Sequence, residues 1–233
     1  MTRHIGIVAC SAEGAALCYR TICNEGAQWL GPHGHPEVSM HTPPLSRYMA
    51  CIDRNDWPGV GALMLDSARR LAAAGADFLI CPDNTIHQAM PWVRDLSPLP
   101  WLHIAEVVAE EAQRRGFRLP ALTGTRWLVD SDVYPQALAQ RGLRCLRPLP
   151  QERDAMGAII MQELVEGVFT PASTAVFLDA IARMQTEGCD AVILGCTEIP
   201  LIIGDTNSPL PTLDSTRLLA RAALRHAVAP GRH

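Results

Sequence analysis

Gly75-Ala76-Asp77-Phe78-Leu79-Ile80-Cys81-Pro82-Asp83-Asn84-Thr85 and Gly188-Cys189-Asp190-Ala191-Val192-Ile193-Leu194-Gly195-Cys196-Thr197-Glu198 repeat one pattern. Laid over each other, Gly75 meets Gly188, Asp77 meets Asp190, the apolar runs coincide, and Asp83 falls opposite Cys196. Each run is short and apolar, follows a helical periodicity and ends in small polar residues. That is how a buried parallel strand reads, with a loop at its carboxyl end. A match of this size, once per half, predicts two similar α/β lobes rather than a solenoid.

Working outward, residues 5–9 read as a first strand, 11–14 as a small-residue loop and 15–25 as a helix. Residues 38–41 form a second strand. Residues 57–74 carry Val60, Leu63, Met64, Ala68 and Leu71 at helical spacing, with Asp56 as cap and Pro58 in the first turn. Residues 78–81 are the third strand. Pro98-Leu99-Pro100 is a candidate crossing between lobes. Beyond it, helices are expected over 103–116, 129–141, 156–165, 172–187 and 212–227, and strands over 119–123, 144–149 and 190–194. Strands alternating with helices predict an α/β fold: two pseudo-symmetric lobes, each a mainly parallel sheet flanked by helices. The first lobe takes residues 1–97 and 210–233, the second 98–209. Ligands of such sheets sit at the carboxyl ends of strands. The loops at 9–14, 82–87, 123–126 and 195–198 are therefore the candidate site, in the cleft between the lobes.

Composition removes several chemistries. All 20 basic residues of the 233 are arginine. With no lysine, pyridoxal phosphate has no amine for its Schiff base, and a Walker-type loop has no cation for nucleotide phosphates. No cofactor is expected. A net charge of −4 gives no sign of nucleic-acid binding. No apolar stretch reaches the length of a membrane span. The start, Met1-Thr2-Arg3-His4-Ile5-Gly6-Ile7-Val8, runs into a strand with no signal-peptide pattern. Eight cysteines without C-x-x-C spacing fit reduced thiols in the cytoplasm better than disulfides or structural zinc. His33, His35 and His41 have metal-ligating side chains, but a polar loop explains them, and no metal site is expected.

The rhyming loops carry complementary chemistry. One offers Asp83 with Asn84 and Thr85; the other offers Cys196 with Thr197 and Glu198. Two proton-transfer groups facing one ligand suit removal of a proton from one face of a carbon and its replacement on the other. Amide, hydroxyl and backbone N–H groups would hold a carboxylate and its enolate-like charge.

At these residues the chain resembles the aspartate/glutamate racemase family, which works without pyridoxal phosphate. The family's Cys-Asn-Thr-Ala-His motif corresponds to Asp83-Asn84-Thr85-Ile86-His87, and its Gly-Cys-Thr-Glu motif to Gly195-Cys196-Thr197-Glu198. Gly124-Thr125-Arg126 and Leu102-His103-Ile104 match as well, and the resemblance runs from about residue 5 to 219. It implies a cofactor-independent isomerase, a homodimer, acting on a small amino-acid or carboxylic-acid substrate. Asp83 and Cys196 would be the catalytic acid–base pair. Ser11, Arg47, Asn84, Thr85, Thr125, Thr197 and Glu198 would bind substrate.

Two departures matter. The family's first cysteine is Asp83 here, and an aspartate is a weaker base than a thiolate; Cys81, two positions earlier, is a buried alternative that reads as core. Members acting on acidic substrates commonly use an early Arg and a Lys in the second lobe, and this chain has no Lys; Arg47 and Arg153 remain as carboxylate partners. A neutral or basic substrate is compatible with that pattern. Glu13 is a candidate for the substrate amine or a plain surface carboxylate, and His87 is expected to bond backbone. The alternatives are a one-cysteine decarboxylase or isomerase built on Cys196, and a non-catalytic binding protein for a small acid.

Overall fold

The computed structural model describes residues 2–229. In chain order the elements are β1 (Ile5–Val8), α1 (Ala12–Leu30), β2 (Val38–His41), α2 (Leu45–Ile52), α3 (Trp57–Ala73), β3 (Phe78–Ile80), β4 (Trp101–Leu102), α4 (Ile104–Arg114), β5 (Pro120–Gly124), α5 (Arg126–Asp130), α6 (Val133–Ala139), α7 (Pro150–Gln162), α8 (Pro171–Thr186), β6 (Ala191–Gly195), β7 (Thr212–Asp214) and α9 (Ser215–Val228). The chain forms two compact units, residues 1–104 with 216–233, and 105–215. Pro98-Leu99-Pro100 thus lies inside the first unit. It leads into β4, which pairs with β3.

The first unit holds a parallel sheet in the order β2-β1-β3-β4. Ile5 stands between Val38 and Phe78 in register. β1 and β3 are buried along their whole length, as central parallel strands are when helices cover both faces. The edge strand β2 is only partly buried, with Met40 exposed. The second unit holds β5-β6-β7, also parallel. A single bridge from Ala121 to Leu146 adds a fourth position beside β5. The expected strand over 144–149 therefore shrinks to one bridge, because Arg147 and Pro148 turn the chain toward α7. With that bridge, the order on either side of β5 repeats the order on either side of β1. β3 and β6 hold the same place.

The repeated sequence builds the same joint twice. Gly75 and Gly188 have φ of 90° and 96°, a left-handed conformation that glycine adopts without strain. Behind them the N–H of Ala76 donates to the carbonyl of Leu71, and that of Cys189 to the carbonyl of Met184, closing α3 and α8 in the same way. Asp77 then accepts the N–H of His4 at 2.6 Å. Asp190 accepts those of Arg118 and Leu119 at 2.6 and 3.1 Å. Each aspartate ties the start of its own strand to the start of the neighbouring central strand.

Other boundaries follow side-chain caps. Asp56 accepts the N–H of Gly59 with Pro58 in the first turn of α3, and Thr170 accepts that of Ser173 ahead of α8. Three expectations change. The helix expected over 129–141 is two helices, α5 and α6, because Ser131 turns its hydroxyl onto the carbonyl of Leu128 and ends the first. The helix expected over 212–227 begins only at Ser215, since Thr212–Asp214 pairs with β6 as β7. α2 and β4 are additional elements. In the second unit Met156, Ile160, Phe177, Ile181, Met184, Val192 and Leu194 form a continuous buried cluster between helices and sheet. Burying each such side chain contributes roughly 1.5–3 kcal/mol.

Candidate active site

All the candidate residues but Arg47, which lies on α2, follow directly after the carboxyl ends of strands or in the turns there. Ser11, Arg47, Asp83, Asn84 and Thr85 belong to the first unit; Thr125, Cys196, Thr197 and Glu198 belong to the second.

In the first unit, β3 ends at Ile80 and the chain enters a 3-10 helix over Thr85–Trp92. Asn84, Thr85, Ile86 and His87 are buried, and Asp83 is half-buried. The backbone at Asp83 is gripped from two sides: its carbonyl accepts the Cys81 thiol at 3.7 Å and is 2.7 Å from His87 Nδ1. The N–H of Ile104 points at His87 Nε2, at 3.4 Å. Nε2 is therefore the acceptor and Nδ1 carries the proton that is given to Asp83. This tautomer leaves His87 a positioning group that fixes the loop. One carboxylate oxygen of Asp83 accepts the N–H of Ile86 at 3.1 Å, so the side chain also caps the 3-10 helix. Burial, with the charge of Asp83 next, pushes the Cys81 thiol well up, and that thiol stays protonated in the core.

His103, just past β4, packs edge-on against the His87 ring, with centroids 4.5 Å apart. Burial first, then the Arg94 charge, push its pKa down to about 4, so it is neutral. Tyr48 of α2 is fully buried within electrostatic reach of Cys81, Cys10 and Asp83, and burial pushes its phenol well up. Ser11 caps α1 by accepting the N–H of Gly14. Glu13 lies exposed in the first turn of α1 rather than in a loop. Arg47 is exposed on α2; the hydrogen bond from Arg70, then its charge, holds the Asp66 carboxyl down, and Arg47 adds to it.

In the second unit, β5 and β6 run side by side until Gly124 faces Gly195. A Cβ at Gly195 would sit 2.5 Å from the Thr123 carbonyl oxygen and 2.7 Å from a Leu128 methyl, so only glycine lets the strands stay this close. Thr125 and Cys196 are the next residues on the two strands. Thr125 caps α5, its hydroxyl oxygen accepting the N–H of Leu128. Cys196, Thr197 and Glu198 are all buried. The Cys196 thiol donates to Glu198 Oε2 at 2.9 Å, and the Thr197 hydroxyl donates to the same oxygen at 2.6 Å. Glu198 is thus placed to take or return the thiol proton. This bond adds to the substrate contact expected of Glu198 from the sequence, where a carboxylate two positions after the cysteine in a turn is the signal for it. Arg153 is held by Asp130 at 2.6 Å and by Asp154 at 3.5 Å. All eight cysteines are thiols. Among the described residues no group of three or more His, Cys, Asp or Glu side chains is arranged to hold a metal ion, and no helix is long and apolar enough to cross a membrane.

Two α/β units with a thiol–carboxylate pair at one strand end and a polar 3-10 turn at the equivalent strand end define a racemase-type architecture. The family model for Asp/Glu/hydantoin racemases matches residues 7–223, and the chain belongs to that family. It is 23% identical over 164 residues to the broad specificity amino-acid racemase RacX of Bacillus subtilis, an overlap of 69% of each chain. Among solved structures, an aspartate racemase homologue from Pyrococcus horikoshii is 26% identical with a TM-score of 0.84, covering 98% of this chain and 100% of that one. A Yersinia pestis protein is also 26% identical, with a TM-score of 0.90 over 97% of this chain and 100% of that one.

Proposed function

We propose that the protein is a cofactor-independent amino-acid racemase or epimerase, with Asp83 and Cys196 exchanging the proton at Cα. The observation that carries this reading is the Cys196 thiol bonded to the buried Glu198 carboxylate in a chain of the racemase family. Glu198 receives the thiol proton and Cys196, as thiolate, removes the α-proton from one face, while protonated Asp83 delivers its proton to the other; Glu198 then releases its proton to solvent, Asp83 takes one up, and the reverse reaction runs the same steps backward. Asp83 serves the opposite face of the carbon. Asn84, Thr85, Thr125 and Thr197 hold the amino and carboxylate groups, and their N–H and O–H groups stabilise the enolate-like charge. Ser11 and Arg47 complete substrate binding. The protein works in the cytoplasm as a homodimer.

The test is one NMR experiment: a mixture of amino acids in deuterium oxide with the enzyme, followed for loss of α-proton signals and of optical rotation. Exchange on both enantiomers is expected, and Cys196→Ala should abolish it. Release of carbon dioxide would instead establish the one-cysteine decarboxylase. Ligand-induced thermal stabilisation with neither exchange nor carbon dioxide release would establish a binding protein.

A further inference from the structure

Beside Thr125 the second unit carries a hollow of about 430 Å3 between the start of α5 and one face of α7, lined by Arg126, Trp127, Asp154, Gly157, Ala158 and Met161. We infer that this hollow receives the substrate's side chain and selects large uncharged ones, aromatic rings above all. The inference rests on the racemase reading, which it extends to a substrate class.

Position comes first. Gly124 faces Gly195 across the β5–β6 ladder, so Thr125 and Cys196 follow on strands about 4.8 Å apart, and the hollow opens one residue past Thr125. Space is the second argument. Gly157 has no side chain opposite Arg126, whose Cβ and backbone N lie 3.6 Å from where a Cβ would be, and Ala158 adds only a methyl group. The hollow is of the size that holds a whole small ligand and far exceeds the needs of a two-carbon side chain.

Chemistry decides the class. The Arg126 guanidinium carbon sits over the Trp127 ring at 4.6 Å from its centroid, so the cation already packs on one ring and can receive a second. A guanidinium face attracts aromatic π density, and Met161 adds a polarisable sulfur that favours ring edges. Arg126 makes no ion pair among the described residues, while the Asp154 carboxylate lies near Arg153 at 3.5 Å. A side chain of either charge entering here meets a like charge as well as an opposite one. A neutral ring meets no repulsion.

The experiment compares α-proton exchange of phenylalanine, alanine, aspartate and lysine by the wild type, Arg126→Ala and Ala158→Phe. Ala158 is exposed, so the larger residue fills the hollow without entering the core. Phenylalanine should be the best wild-type substrate. Ala158→Phe should lower its kcat/KM at least tenfold while alanine exchange changes less than twofold, and Arg126→Ala should lower it severalfold. Exchange on alanine or aspartate with phenylalanine inert, or phenylalanine exchange indifferent to Ala158→Phe, overturns the inference and leaves the racemase reading intact. If no amino acid exchanges, the racemase reading fails. The hollow is then judged by saturation-transfer NMR with 3-phenylpropionate: a signal lost in Ala158→Phe supports an aromatic subsite, and an unchanged or absent signal overturns it.

Discussion

At the scale of single residues, the two equivalent strand ends carry different chemistry. The Cys196 thiol donates to the Glu198 carboxylate; Asp83 has its backbone pinned by Cys81 and His87, and its side chain tied to the N–H of Ile86. Glu198→Gln keeps the shape and removes the proton acceptor, so kcat should fall about 100-fold or more with KM nearly unchanged, read from steady-state exchange rates. Asp83→Asn separates two roles. As an acid–base group its loss should stop turnover with binding retained; as an amine anchor its loss should raise KM more than it lowers kcat. Asp83→Cys restores a two-thiol pair and should keep exchange on both faces.

His103 makes a separate residue-scale prediction. Its pKa is depressed from 6.5 to about 4 in the folded chain, so below pH about 6.5 the unfolded state binds a proton that the folded state refuses. Its contribution to stability is complete above pH 6.5 and is lost progressively down to about pH 4, by roughly 3 kcal/mol in all. His103→Leu should flatten the fall in urea stability between pH 7 and pH 4 relative to the parent; parallel curves would refute the assignment. The place of Cys196, Thr197 and the Asp83 loop at the ends of β6 and β3 was legible from residue types and spacing. The partnership of Cys196 with Glu198, the tautomer of His87 and the hollow at Arg126 were not, because each depends on side-chain direction or on contacts between segments far apart in the chain.

At the scale of elements, Gly-x-Asp before β3 and before β6 is a reusable joint. Asp77→Ala strands the N–H of buried His4; Asp190→Ala strands that of partly buried Leu119, while the N–H of exposed Arg118 turns to water. Each orphaned donor costs about 1–3 kcal/mol where water is excluded. Denaturant midpoints should fall for both, more for Asp77→Ala, while exchange activity per folded molecule stays within twofold. The buried strands β1, β3, β5 and β6 were readable because parallel strands covered on both faces are continuously apolar. β4 and β7 were not: β4 is two partly buried residues behind Pro98-Leu99-Pro100, and Thr212–Asp214 has one apolar residue in three. The break between α5 and α6 was hidden because helical spacing continues through Ser131 while its hydroxyl ends the helix.

At the scale of the whole molecule, thiol chemistry should be layered. Cys81 is fully buried and its thiol is pushed well up, and burial pushes the Cys189 thiol up to about 11. With iodoacetamide at pH 8, mass spectrometry should find these two among the last labelled in the native state, and labelled promptly in urea. Early modification of Cys81 in the folded protein would show that the β3 end opens readily and would reopen Cys81 as a working thiol.

The last helix sets the order in which the molecule is completed. α9 belongs to the unit begun by β1. Leu219, Ala220, Ala223, Leu224 and Ala227 are buried, the backbone N–H of Arg3 donates to the carbonyl of Ala227, and the His226 ring packs edge-on against Phe78. During synthesis the first sheet therefore emerges from the ribosome more than a hundred residues before the helix that finishes its core. Residues 105–215 come out as one uninterrupted stretch with everything they need. The half that is made first waits longest for its core, and until α9 has emerged the nascent chain carries an uncovered apolar surface around Phe78 for chaperones to find.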